Sequence, residues 1–176
     1  MKKALIVIDY QVDFVNGTLG FDNAQKLEEI ICKKITNYRD NNDDIIFTLD
    51  THDDDYLNTL EGKSLPIKHC LAHTLGNELY GKVKKLKLES DKTFVKHTYG
   101  SLKLADYLEE KKFEKLEIVG LVSNICVLTN AVIARTALPN CEIIIDAKAT
   151  DSHNKSLNEK ALDVLEGLNI KVINRK

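Results

Sequence analysis

Cys126 sits inside "GLVSNICVLTNA" (residues 120–131), where an apolar stretch gives way to helix-compatible residues. A thiol at a helix N-terminus meets unpaired amides and the positive end of the dipole, which lowers its pKa and suits a nucleophile. The bland alternative is a small buried hydrophobe, the usual state of a free cysteine. Two other groups bear on the choice. Asp9 closes the apolar run "KALIVID" and Lys96 falls at the end of "TFVKH". A carboxylate there can take the thiol proton and return it to a leaving amine, while an ammonium holds the carboxylate and stabilises negative charge. Each also has a plain reading, Asp9 as a turn or helix cap and Lys96 as a solvated strand end.

A second constellation lies in "DTHDDDYLNTLEGKSLPIKHC" (residues 50–70). Asp50 and His52 are two apart, so an extended chain points both to one side, and His69 returns after a loop that also carries Glu61. Two imidazoles with one or two carboxylates suit one divalent ion, Zn2+, Mn2+ or Fe2+, with positions open for water or substrate. D-x-H alone is a weak signal. Of the 5 histidines in the chain, His52, His69 and His73 all fall between residues 51 and 75, which strengthens it. Asp53, Asp54 and Asp55 read as solvated loop charge, Cys70 as a packing residue or spare ligand, and His73 and His97 stay outside the site. Cys32, in an amphipathic segment, and Cys141, opening a strand at the opposite rim, read as structural.

These residues need a frame to bring them together. Short β-branched runs ("KALIVID", "DIIFTLD", "TFVKH", "KLEIVGLV", "CEIIIDA", "IKVINR") alternate with amphipathic segments ("AQKLEEIICKKITNYRD", "GNELYGKVKKL", "SLKLADYLEEKK", "CVLTNAVIARTAL", "SLNEKALDVLEGL"). Such β-α alternation predicts a three-layer, doubly wound α/β fold on a six-stranded parallel sheet. In that architecture ligands bind beyond the carboxyl ends of the strands, where strand order reverses. Asp9, Asp50, Lys96 and Cys126 all sit at or just past such ends. The first and third strands would neighbour the fourth if the order reverses near the first. The connection from Thr51 to Leu75 is long for a compact domain and reads as a functional loop.

The chain has 176 residues, which predicts one domain over 1–176. Its net charge of −2 offers no basic field for nucleic acid or an anionic membrane, so a small, nearly neutral ligand is expected. No apolar stretch approaches the roughly 20 residues of a membrane span, and the N-terminus reads as a strand rather than a secretion signal. A cytoplasmic protein with reduced thiols is the expectation.

At this point the residues match a known pattern. The stretches "ALIVIDYQVDF", "DTH", "EGKSLPIKHCLAHTLGNEL", "FVKHTYGSL" and "GLVSNICVLTNAVIA" resemble the isochorismatase-like cysteine hydrolases, and among them the nicotinamidases (pyrazinamidases), along nearly the whole chain. The resemblance implies that Asp9, Lys96 and Cys126 form a catalytic triad. It implies metal ligation by Asp50, His52 and His69, with Glu61 as a fourth ligand used in one branch. It further implies a cis peptide before Val122, an oxyanion hole from the Val122 and Cys126 amides, and Phe14 and Tyr99 flanking the substrate ring. The implied reaction is metal-dependent hydrolysis of nicotinamide, and of pyrazinamide, to the acid and ammonia through a thioester, with Zn2+ the first expectation. Self-association into a homo-oligomer and a place in NAD salvage also follow from resemblance alone. Thr51 departs from the aromatic residue common between the metal Asp and His. Tryptophan is absent, and Ser123-Asn124 stands where Thr-Asp is frequent.

Three rivals stand beside this reading. One is a sibling hydrolase acting on another small amide or carbamoyl compound, which commonly lacks the metal set. The second is a non-catalytic metal-binding protein on the same scaffold, and the third a redox-sensing thiol. An isochorismatase fits less well, because vinyl-ether hydrolysis needs neither the cysteine nor the metal.

Overall fold

The computed structural model describes residues 1–175. Six strands form one sheet: β1 (Lys3–Ile8), β2 (Asp44–Asp50), β3 (Lys92–Lys96), β4 (Lys115–Leu121), β5 (Glu142–Asp151) and β6 (Lys171–Ile173). The helices are α1 (Val12–Val15), α2 (Glu28–Asp40), α3 (Leu60–Ser64), α4 (Gly81–Leu86), α5 (Leu102–Lys111), α6 (Leu128–Ala137) and α7 (Lys155–Gly167). All neighbouring strands pair parallel in the order β3-β2-β1-β4-β5-β6. The predicted doubly wound fold is the one present.

The layers follow from the alternation of side chains along each strand. Ile6, Ile8, Ile46 and Ile118 face one side, where Leu104 and Leu108 of α5, Ala131 and Ala134 of α6, and Leu162 and Leu165 of α7 cover them. Leu5, Val7, Phe47 and Val119 face the other, against Ile31 and Ile35 of α2 and Val83 of α4. Both faces are dry, which explains why the strands read as continuous apolar runs rather than alternating ones. Each fully buried Leu or Ile contributes about 1.5–3 kcal/mol relative to exposure. Helix starts are fixed by side chains: Ser101 Oγ accepts from the Leu104 amide (3.1 Å) and Asn154 Oδ1 from the Leu157 amide (3.0 Å).

Strand order reverses between β1 and β4, so the crevice beyond their carboxyl ends is the natural binding place. Gly120 lets these two strands approach. Its φ is +113°, and a Cβ there would lie 2.0 Å from the Ile8 carbonyl oxygen. Gly120→Ala is therefore expected to destabilise the protein by at least about 2 kcal/mol, read as a lowered denaturation midpoint.

Three expectations need correction. Lys96 does not neighbour β4: β3 is the sheet edge, with β2 and β1 between. β5 runs to Asp151, beyond the apolar run, because a register shift lets Thr150 and Asp151 pair with Gly120 and Leu121. The helix before the Pro139 turn opens at Ser123 as a π-turn, Ser123–Val127, so Cys126 lies within the helical segment and does not begin it. The long connection is ordered by a 3-10 turn, Tyr56–Asn58, and by α3, whose first turn is capped by Thr59 Oγ1 accepting from the Gly62 amide (2.9 Å).

Candidate active site

Asp9 leaves β1 with φ +44°, a left-handed conformation that aspartate tolerates better than most residues but that still costs about 1–3 kcal/mol. The turn aims its carboxylate into the switch-point crevice, where it is fully buried. Thr48 Oγ1 donates to Asp9 Oδ1 (2.6 Å) and fixes one oxygen. The other, Oδ2, lies 2.6 Å from Lys96 Nζ and receives no well-directed hydrogen bond. The Cys126 thiol lies beside this carboxylate.

Lys96 reaches this point from the edge strand because its stem crosses beyond the end of β2. Its Nζ lies 2.6 Å from Asp9 Oδ2, 3.3 Å from Asp50 Oδ1 and 3.6 Å from Cys126 Sγ, and donates to the Thr98 carbonyl at 3.0 Å. One ammonium thus touches a carboxylate, a thiol and a residue of the second constellation. Burial pushes the Lys96 pKa down, but the charges of Asp9 and Asp50 more than reverse it, so the side chain stays an ammonium. Burial likewise raises the Asp9 carboxyl, against the pull of Lys96.

Cys126 lies in the π-turn after β4. The amides of Ile125 and Val127 both donate to the Val122 carbonyl (3.2 Å each), and the Leu121–Val122 peptide is cis, as the resemblance implies. Asn130 Nδ2 donates to the Cys126 carbonyl (2.8 Å) and to the Tyr99 carbonyl (3.0 Å), tying the turn to the segment after β3. The thiol is almost wholly enclosed. A lowered pKa was expected for it; instead burial first, then the Asp9 charge, push it well above the ordinary value, with Lys96 opposing. The resting group is a thiol beside a base, not a stored thiolate.

The second constellation also converges. His52 Nε2 is 2.8 Å from Asp50 Oδ2 and His69 Nε2 is 3.6 Å from it. Donor atoms of Asp50, His52 and His69 all lie within 4.8 Å of one another, and all three residues are buried. Glu61 Oε1 faces both rings, 3.8 Å from His52 Nε2 and 3.7 Å from His69 Nε2. His69 Nδ1 contacts the Ile67 carbonyl (2.8 Å), which makes it the protonated nitrogen and leaves the Nε2 lone pair for a cation. Burial raises the Asp50 carboxyl, but its contacts with both imidazoles and the Lys96 charge hold it well below the usual range. Burial, then the Asp50 charge, raises Glu61. Two nitrogen lone pairs and two carboxylates aimed at one point fit a divalent cation.

A cavity of about 570 Å³ opens between the two groups, lined by Phe14, Tyr99, Val122, Ile125, Cys126, Asp50, Glu61 and His69 among others. Its wall is mostly apolar, with a few polar groups such as Asp50, Glu61 and His69, the make-up of a small-molecule site. The isochorismatase domain model matches residues 3–176. The chain belongs to the isochorismatase family. It is 30% identical over 174 residues to an isochorismatase family protein, PncA, of Bacillus subtilis strain 168, covering 92% of this chain and 93% of that one. Its fold matches a nicotinamidase/pyrazinamidase PncA from Bacillus subtilis (TM-score 0.85, 30% identity, 98% and 99% of the two chains). A pyrazinamidase/nicotinamidase from Streptococcus mutans UA159 matches similarly (TM-score 0.87, 29% identity, 98% and 100%).

Within this isochorismatase-family hydrolase, the residues singled out from sequence fall in one crevice: Asp9, Lys96 and Cys126 in one group, Asp50, His52, His69 and Glu61 in the other, Phe14 and Tyr99 on the wall. Phe14 packs against the His69 ring, centroids 5.5 Å apart. His73 and His97 lie at the surface, and Cys70 packs in the core with its thiol pushed up by burial. Several contributors escaped sequence reasoning. Tyr56 stacks edge-on against His52 (4.7 Å) and His69 (5.0 Å), and Leu19, Gly20, Leu65, Ile67 and His153 complete the wall. Tyr56 sits among the "DDDYLN" loop residues with no periodicity to mark it, and the others are single residues in turns. Among the described residues no helix is long and apolar enough to cross a membrane.

Proposed function

We propose that this protein is a metal-dependent cysteine amidohydrolase that converts nicotinamide to nicotinate and ammonia, and that also accepts pyrazinamide. The observation that carries the reading is the position of Lys96 Nζ, 2.6 Å from Asp9 Oδ2, 3.6 Å from Cys126 Sγ and 3.3 Å from Asp50 Oδ1. That single cation joins a nucleophile-base pair to a metal-ligand set, as hydrolysis of an amide on a metal-anchored ring requires. The similarity to nicotinamidases at 29–30% identity supports the same substrate class.

The chemistry starts from the thiol. Cys126 transfers its proton to Asp9 as Sγ attacks the carboxamide carbon, so the thiolate need not exist beforehand. Burial raises both the Asp9 carboxyl and the Cys126 thiol, which keeps the proton between them rather than lost to solvent. Lys96 offsets the negative charge that moves from Asp9 to sulfur. The carbonyl oxygen, now anionic, takes hydrogen bonds from the Val122 and Cys126 amides. Protonated Asp9 then delivers its proton to nitrogen, the C–N bond breaks, and ammonia leaves behind a thioester. Water attacks the acyl carbon as Asp9 takes its proton, the C–S bond breaks, and sulfur recovers the proton through Asp9. Asp50, His52 and His69, with Glu61 beside them, would hold one divalent ion, Zn2+ first among candidates. When bound there, such an ion would supply a Lewis-acid anchor for a ring nitrogen. Phe14 and Tyr99 flank the ring, and the apolar wall excludes water from one side of it.

The test is ammonia release from nicotinamide, pyrazinamide and aliphatic amides, before and after chelation. The expected result is turnover of the two ring amides, lost on chelation and restored by Zn2+ or Mn2+. Turnover of aliphatic amides alone, indifferent to chelator, would transfer the assignment to a sibling amidase. Metal uptake with no turnover of any amide would leave a binding protein.

A further inference from the structure

The donors of the metal set come from segments far apart in the chain: Asp50 and His52 at the end of β2, and His69 near the close of the long connection. Their spacing depends on what holds those segments together. Gln11, fully buried two residues past Asp9, clamps the backbone of Asp50: its Nε2 donates to the Asp50 carbonyl (2.8 Å) and its Oε1 accepts from the Asp50 amide (2.8 Å). The same Nε2 donates to the Asn77 carbonyl (2.7 Å). Asn77 then reaches both ligand segments at once. Its Nδ2 contacts the Asp50 carbonyl (2.7 Å), Thr51 Oγ1 (2.9 Å) and the Cys70 carbonyl (3.2 Å).

The seam continues in the backbone. The Cys70 carbonyl also accepts from the His52 amide (3.0 Å), and the His52 carbonyl accepts from the Ala72 amide (2.8 Å). The Cys70 amide donates to Asp13 Oδ2 (2.7 Å), and a Cβ on Gly76 would lie 2.1 Å from that oxygen, so a larger residue there would have to push the Asp13 carboxylate aside. Cys70 itself, directly after His69, is held at φ +46°. Without the Asn77 amide, the Asp50 and Cys70 carbonyls would lose their common donor, leaving the His52–Cys70 and Ala72–His52 backbone bonds to join the two ligand segments. Gln11 and Asn77 contribute no atom to the metal set and do not line the cavity.

We infer that Gln11 and Asn77 are positioning residues for the metal centre: through the backbone of Asp50 and Cys70 they set the distance between the Asp50/His52 and His69 donors, and so the affinity for a divalent cation. This rests on the metal reading above. Partners that orient ligands are worth about 10–100-fold in metal affinity, and a change of that size is expected here.

The experiment uses the full chain, stripped of metal and titrated with Zn2+ against a chromophoric competing chelator, for wild type, Asn77→Ala, Asn77→Ser, Gln11→Glu and His52→Ala. Thermal midpoints of the metal-free proteins are recorded alongside. Wild type is expected to take up one ion and His52→Ala to lose it. Asn77→Ala is expected to bind one ion about 10–100-fold more weakly, with Asn77→Ser, which can keep one donor, in between. Gln11→Glu keeps the acceptor for the Asp50 amide and loses both donations, and is expected to weaken binding similarly. A purely structural role would lower the metal-free midpoint and leave the affinity alone. Affinities within twofold of wild type in the folded variants would overturn the inference while metal binding stands. Indistinguishable weak binding by wild type and His52→Ala would overturn the metal reading and the inference with it. Asn77 is only half-buried, so its variants decide the matter even if Gln11→Glu does not fold.

Discussion

Cys126→Ala is expected to lower kcat for nicotinamide by about 10⁴-fold or more, while Zn2+ uptake at Asp50, His52 and His69 stays at the wild-type level. The size follows from the role: with no sulfur there is no acyl-enzyme, and what is left is binding, the oxyanion donors and the bound cation acting on water alone. Cys126→Ser is expected to be nearly as inactive, because a hydroxyl is a far weaker acid than a thiol and Asp9 would have to remove a much more tightly held proton. The pair of variants separates two mechanisms. If a metal-activated water were the nucleophile, both would keep most of the wild-type rate, since neither touches a metal donor. Ammonia release under saturating substrate, with the metal content of each preparation measured, checks the prediction.

Asp9→Asn is expected to lower kcat by about 10³-fold or more, for a reason that a simple loss of thiolate does not capture. Burial is the main cause that pushes the Cys126 thiol upward, and the Asp9 charge is the next; Lys96 pulls the other way. Removing the Asp9 charge while keeping Lys96 therefore lowers the thiol pKa. Asp9→Asn should show its thiolate, by ultraviolet absorbance, at lower pH than wild type and yet turn over far more slowly. In wild type the thiol stays protonated as pH rises past its ordinary value, and in the variant the thiolate appears nearer to that value. Activity does not follow the thiolate because the leaving nitrogen has lost its acid and the incoming water its base. A variant whose rate rose along with its thiolate fraction would mean that Asp9 merely tunes sulfur. Lys96 keeps Asp50 as a partner at 3.3 Å in this variant, which limits the cost of an unpaired buried ammonium.

The parts of this site that sequence made legible are those that depend on local order. Asp9 and Asp50 end apolar runs, and a parallel sheet places all such ends on one rim, so their convergence with Cys126 needed only the β-α alternation. Asp50 and His52 share a side because they are two apart in extended chain. Lys96 was found by the same rule but given the wrong neighbour, because strand order is a tertiary fact: nothing in "TFVKH" says that β3 is the edge. The Cys126 environment was misjudged for a related reason. A helix N-terminus is readable from sequence, whereas the enclosure that raises the thiol is built by residues from other strands. Thr48, which pins Asp9, looks like any strand threonine, and Gln11 and Asn77 act across 39 and 27 positions of sequence on the Asp50 backbone. Tyr56 escaped because a single turn of 3-10 helix carries no period. The cis peptide at Val122 came from resemblance alone, since no proline marks it.

The most direct measurement is of the fate of the acyl group when nicotinamide is hydrolysed in the presence of hydroxylamine. If Cys126 carries the acyl group, the thioester is open to a second nucleophile. Nicotinohydroxamate should then form alongside nicotinate, at a ratio that rises with hydroxylamine, and both products should vanish together in Cys126→Ala. Nicotinate formed alone at an undiminished rate, whatever the hydroxylamine concentration, would contradict the account.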